Sequence, residues 1–189
     1  MTLTAIAAQL LRLDHALRAW AVTHRIAWLD RPIFLLSVTG VFGGIWMFIA
    51  LILAILGRLL WRDFGRLVLA LVVTTVLTDY VLKPAIHRAR PFRWTPDVVV
   101  IGFHSSSASF PSGHTAAAVA GAFVFTRLMP EGRVAWWLLA AVIAYSRIYL
   151  GVHYPLDVAA GAIVGIACAA VIWRLTKGRQ HRIALGYDR

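Results

Sequence analysis

A chain of 189 residues that is 60% hydrophobic and only 14% charged, with a mean hydropathy of +0.75, has more apolar surface than a small soluble domain can bury, and it reads as an integral membrane protein. Its net charge of +11 does not mark a nucleic-acid binder, because the 19 lysines and arginines are scattered between apolar runs instead of forming one stripe. Membrane topology and anionic lipid account for that charge better.

Residues 1–30 are predicted to hold an amphipathic helix. Between residues 3 and 28, Ile6, Leu10, Leu13, Leu17 and Trp20 fall at helical spacing. Arg12, Asp14, His15 and Arg18 interrupt its middle, so this helix is expected to lie along the interface. A sixth span packed inside the bundle is the alternative. No basic start, apolar run and small-residue cleavage site follow one another here, and no cleavable signal peptide is expected.

From Ile33 to Gly57 the chain is uncharged and long enough to cross a bilayer, which takes about 20 residues. Four further spans are predicted at Leu67 to Leu82, Gly113 to Met129, Val134 to Leu150 and Leu156 to Leu175. The expected fold is therefore an all-α membrane bundle of about five spanning helices, forming one domain over residues 1–189. Small residues four apart (Gly40 and Gly44; Gly113, Ala117 and Gly121; Gly161 and Gly165) are assigned to close helix packing. The single cysteine, Cys168, lies in an apolar run and offers neither a disulfide framework nor a Cys-based metal site.

Arg58, Arg62 and Arg66 follow the first span, Arg127 and Arg133 separate the third from the fourth, and Arg174, Lys177, Arg179 and Arg182 follow the last. With five crossings these share one side, cytoplasmic by the positive-inside tendency, and residues 176–189 form a basic cytoplasmic tail. Lys83 to Ser112 and Ser146 to Pro155 then share the external face. That face is also basic, with Lys83, Arg88, Arg90, Arg93 and Arg147, against the topological rule. An anionic ligand explains the excess.

His153 precedes Pro155, which favours the first position of a helix, and Asp157 then falls in the first turn. A carboxylate that takes the proton of one ring nitrogen frees the other as nucleophile or base. A capping histidine beside a helix-start aspartate fits the pair equally well when it is taken alone. Upstream, Lys83, Arg90 and Arg147 offer cationic donors for phosphate oxygens. Ser112 stands where a helix cap belongs, and Gly113 leaves the backbone open to a close anion at a helix start.

Together the external segments read Lys83-x6-Arg90-Pro91, then Pro111-Ser112-Gly113-His114, then Ser146-Arg147-x5-His153-x3-Asp157. This resembles the type 2 phosphatidic acid phosphatase family, whose signature has these three parts in this order, and every signature position is filled over residues 83–157. Each part is weak alone; order and placement between spans give the match its specificity.

The resemblance implies a lipid phosphatase in which His153 takes the phosphoryl group, Asp157 orients it, and His114 protonates the leaving oxygen and then activates water. It assigns Lys83, Arg90, Ser112, Gly113 and Arg147 to the phosphate cradle, with no metal and no cofactor. The partners expected are a lipid phosphate substrate and membrane lipids, with oligomeric state left open. Small bacterial members suggest undecaprenyl diphosphate first, then phosphatidylglycerol phosphate, phosphatidic acid or lipid A, at a cytoplasmic (inner) membrane with the site facing outward.

A non-enzymatic anion or lipid transporter and a lipid-to-lipid phosphotransferase are the rival readings. Vanadium-dependent haloperoxidases have a similar signature, and the spanning helices argue against them. Asp79, four residues before Lys83, is expected to hold that lysine. His87 and Arg88 are expected at the rim, His104 in solvent, and Phe92, Trp94 and most tryptophans at the membrane interface, with the substrate entrance as the alternative for Phe92 and Arg93. His15, His24 and His181 receive no role.

Overall fold

A computed structural model of the chain describes residues 2–94 and 99–186, with side chains as far as residue 176. Among the described residues the chain is helical, with no strand. The helices are α1 (Leu3–Thr23), α2 (Ala27–Thr39), α3 (Gly44–Ile55), α4 (Trp61–Thr75), α5 (Lys83–Ile86), α6 (Pro91–Trp94), α7 (Gly113–Leu128), α8 (Arg133–Tyr149) and α9 (Pro155–Gly186). A π-helical stretch, Val76–Leu82, joins α4 to α5. Lys177, Arg179 and Arg182 of the expected basic tail lie outside the residues whose side chains are described.

Two stretches are long and apolar enough to cross a membrane, Trp61–Trp94 and Pro155–Thr176. The pair Ala27–Thr39 and Val41–Ile55, bent by 56°, forms a third if it is one span. With 16 and 17 residues, α7 and α8 reach about 24 and 26 Å at the helical rise, short of a hydrocarbon core of about 30 Å. In the middle of the bundle, α7 packs against α4, α8 and α9, so its ends meet protein.

Small residues allow this central position. Every residue from Thr115 to Ala122 is buried, and all but Val119 are alanine, glycine or threonine. Against them lie Gly161 and Gly165 of α9: a Cβ at Gly161 would stand 2.5 Å from the Ser112 carbonyl oxygen, and one at Gly165 would strike the Ala116 carbonyl. Backbone thus meets backbone at the end where α7 begins. Gly165→Leu is expected to lower the thermal unfolding midpoint of the purified protein, at a cost of ~1–3 kcal/mol for overpacking. Ile163→Leu, on the exposed face of α9, is the control expected to leave the midpoint unchanged. Equal midpoints for the two variants would refute the backbone contact.

The predicted Ile33–Gly57 span is broken in the structure. Phe42 (φ 51°) and Gly43 (φ 75°) take left-handed backbone conformations that end α2 and re-aim α3. Gly43 packs on the Leu71 side chain, and Gly40 on Ile143. Gly40 therefore serves close packing, whereas Gly44 opens the second half of a bent pair. Trp46 departs from the expected interface role: it is wholly buried, with its indole over Gly121 and its ring 5.4 Å from that of Phe125.

Helix α1 is turned inside out relative to a soluble amphipathic helix. Ile6, Leu10, Leu13, Leu17 and Trp20 face outward, while Asp14, Arg18 and Ala21 are buried against the bundle. Lipid is a suitable solvent for the first group, and the buried charges need partners within the protein.

Candidate active site

The end of α4 and its π-helical continuation, the start of α7, the end of α8 and the start of α9 meet at one end of the bundle. A cavity of about 300 Å³ lies there, lined by Asp79, Lys83, Arg90, Gly113, His114, Arg147 and His153. Three segments far apart in sequence thus supply one pocket. Val41, Phe42, Tyr80 and Phe103 form its apolar parts.

Local geometry aims each group. Thr74 and Thr78 donate their hydroxyls back to the carbonyls of Ala70 (2.7 Å) and Thr74 (2.8 Å), and the helix then widens into the π-helical turn. Asp79 and Lys83, on successive turns, both reach the cavity and pair at 2.5 Å. This is the expected i,i+4 pair. Gly113 is tight against it, since a Cβ there would stand 2.9 Å from Asp79 Oδ1.

Ser112 lies behind the cavity wall. Its hydroxyl accepts from Thr115 N (3.4 Å) and Thr115 Oγ1 (3.0 Å), capping α7, and its amide donates to the Asp157 carbonyl (2.9 Å). The helix cap of the sequence reading is thus the use its side chain has here. The amides of Gly113 and His114, in the first turn, have no helical carbonyl to bind, so this helix start offers donors to an anion.

His153 lies between α8 and α9 and is buried. Its Nε2 faces Arg90 Nη1 at 3.3 Å, and its Nδ1 lies 3.4 Å from Asp157 Oδ2. A guanidinium only donates, so Nε2 must carry the lone pair and Nδ1 the proton, which it gives to the carboxylate. Burial, reinforced by the charges of Arg90 and Arg147 and opposed by Asp157, pushes the imidazole pKa down to about 3. His153 is therefore a neutral base with its lone pair on the cavity side.

The cations are held by the backbone and by hydroxyls. Arg90 donates to the carbonyls of Ser107 (2.8 Å) and Val152 (3.1 Å) and to Ser107 Oγ (3.0 Å). Arg147 Nη1 donates to Ser37 Oγ on α2, while its Nε is buried with no hydrogen-bond partner. Such an uncommitted charged donor on a cavity wall suits an anionic ligand.

Asp157 is buried and lines no part of the cavity. Its Oδ2 accepts from Ser109 Oγ and from Tyr154 N (2.9 Å) as well as facing His153. Arg88, expected at the rim, instead turns inward, with Nη1 2.6 Å from Asp157 Oδ1 and Nη2 2.5 Å from Asp14 Oδ2. Ser37, Ser109, Arg88 and Asp14 were not among the site residues picked from the sequence. Two of them carry a signal in the sequence: Arg88 through its place on the basic external face, and Asp14 as a carboxylate set in the middle of an apolar stripe. His15 packs its ring 4.7 Å from that of Tyr154, and His104 stands edge-on to Phe92 at 4.9 Å.

The chain matches the family model described as the PAP2 superfamily over residues 64–181. An undecaprenyl-diphosphatase from Sulfolobus acidocaldarius is 33% identical over 127 residues, 64% of this chain and 58% of that protein. Among solved structures, LpxE of Aquifex aeolicus aligns with a TM-score of 0.71 at 30% identity, over 84% of this chain and 93% of that one. A transmembrane PAP2 type phosphatidylglycerolphosphate phosphatase from Bacillus subtilis aligns with a TM-score of 0.65 at 27% identity, over 93% of this chain and 88% of that one. The chain spans about half the length of the curated relatives it matches.

Proposed function

Because the chain belongs to the PAP2 superfamily, we propose that it is a lipid phosphate phosphatase that removes a terminal phosphate through a phosphohistidine at His153. The observation that carries this reading is a neutral, carboxylate-oriented imidazole and a second imidazole, His114, on the wall of one cation-lined cavity. Pure anion binding requires neither.

Lys83, Arg90, Arg147 and the amides at the start of α7 hold the phosphate oxygens and stabilise the charge that develops on them. His153 Nε2 attacks phosphorus as the bond to the lipid oxygen breaks. His114, which takes up a second ring proton when the negative charge of the phosphate enters the cavity beside it, gives that proton to this oxygen. Water, losing a proton to His114, then attacks the phosphohistidine, freeing inorganic phosphate and restoring both rings. Asp157 holds the Nδ1 proton throughout and stabilises the charge on the phosphorylated ring.

The bundle crosses the membrane about five times in this reading, with α1 at the interface and the cavity on the face opposite Arg58, Arg62, Arg66, Arg127 and Arg133. In a bacterial inner membrane that face is the periplasmic one. The first substrate choice is undecaprenyl diphosphate, in keeping with the activity named for one relative; phosphatidylglycerol phosphate, phosphatidic acid and lipid A follow.

Purified protein is expected to release phosphate from at least one lipid of this panel, with undecaprenyl diphosphate fastest and His153→Ala as the blank. The rate is expected to be unchanged in excess EDTA, because cationic side chains do the work of a metal. Release equal to the blank across the panel would leave anion binding or transport as the function. A requirement for an added lipid acceptor would make the chain a phosphotransferase, and loss of rate in EDTA would refute the metal-free route.

A further inference from the structure

The site extends beyond the cavity to the N-terminal helix. Asp157 Oδ1 meets Arg88 Nη1, the other fork of the same guanidinium meets Asp14 Oδ2, and Asp14 Oδ1 accepts from Leu156 N at 2.7 Å. Both carboxylates are buried, and the Arg88 guanidinium lies 4.2 Å from the centre of the Tyr154 ring. Two buried anions share one cation, and the ring of the residue next to His153 shields the face of that cation. Removing Arg88 leaves two buried carboxylates without the cation they share, and removing Asp14 leaves one fork of the guanidinium and the Leu156 amide without their acceptor.

We propose that Asp14 and Arg88 are positioning residues, forming with Asp157 and His153 a four-member relay that reaches from α1 to the reacting nitrogen. Arg88 holds the outer oxygen of Asp157, so the inner oxygen faces His153 Nδ1, and Asp14 fixes Arg88 and the first turn of α9 together. The amphipathic helix thereby becomes part of the catalytic apparatus. This inference rests on the reading of His153 as nucleophile.

Arg88→Gln and Asp14→Asn are expected to lower kcat for the lipid substrate by roughly 10–100-fold, the usual worth of an outer partner that orients a reacting histidine or carboxylate. KM is expected to change less than about twofold, because neither residue lines the cavity. The double variant is expected to be no slower than the slower single one, as for members of one chain of contacts. Arg88→Lys, which keeps the charge and loses the fork, should fall between wild type and Arg88→Gln.

An independent readout is the ¹⁵N-histidine spectrum, with the His153 signals identified by their loss in His153→Ala. Wild type should show Nδ1 protonated and Nε2 bare, and the two variants a mixture of tautomers. Unchanged kcat and an unchanged tautomer in folded Asp14→Asn, the isosteric variant that keeps an acceptor for Leu156 N, would overturn the relay. Absence of turnover in wild type would sink the phosphatase reading instead, and the spectra would still decide the relay.

Discussion

His153→Ala is expected to reduce phosphate release to the level of the blank while leaving a folded protein. The fold should survive because the substitution strands no charge: Asp157 keeps Arg88, Ser109 and the Tyr154 amide when the imidazole is gone. Chemistry should not survive, because no other side chain of the cavity presents a neutral nitrogen held by a carboxylate. Rapid quenching of wild type with substrate labelled in its phosphate should trap label on the protein in an acid-labile, alkali-stable form, and the variant should trap none. Substantial turnover by the variant with the natural lipid would remove His153 as nucleophile.

His114→Ala should be the next most damaging change, at roughly 10²–10⁴ in rate, the usual worth of a positioned acid and base. The size of the loss should depend on the leaving group. With a monophosphate lipid such as phosphatidic acid or phosphatidylglycerol phosphate the leaving alkoxide departs poorly without a proton, whereas nitrophenolate departs without one, so the deficit with nitrophenyl phosphate should be much smaller than with those lipids. An equal deficit with both substrates would mean that His114 holds the phosphate and does not protonate the leaving oxygen. The position of His114 in the first turn of α7, beside Gly113 on the cavity wall, makes both measurements informative.

What the sequence disclosed, and what it hid, follows from the range of the interactions. The all-helical bundle was readable because long apolar runs have one physical use at this length. The signature residues that line the cavity were readable because each sits at a helix end, where proline and glycine mark the boundaries. The break at Phe42 and Gly43 was not, because Gly40 and Gly44 have the spacing of a packing motif and a positive φ at phenylalanine leaves no trace in the sequence. Nor was the π-helical turn before Lys83, whose hydrogen bonds depend on surrounding packing.

Arg88 was misjudged as a rim residue for a similar reason. Its partner Asp14 is 74 positions away, on a helix whose outward apolar stripe hides the use of its inward face. For Ser112 the sequence allows two compatible expectations, a cap for its own helix and, from the family resemblance, a place in the phosphate cradle. Its side chain is committed to the first.

Phe42, Tyr80 and Phe103 stand at the mouth of the cavity, 59%, 74% and 82% exposed, where the broken helix pair faces the π-helical turn. A doorway framed by aromatic rings is wetted poorly and mixes readily with acyl or prenyl chains. For an enzyme of the proposed kind, the hydrocarbon product can therefore slip sideways into its own leaflet without ever being hydrated. Phosphate must take the aqueous route, so the two halves of the substrate part company on different paths.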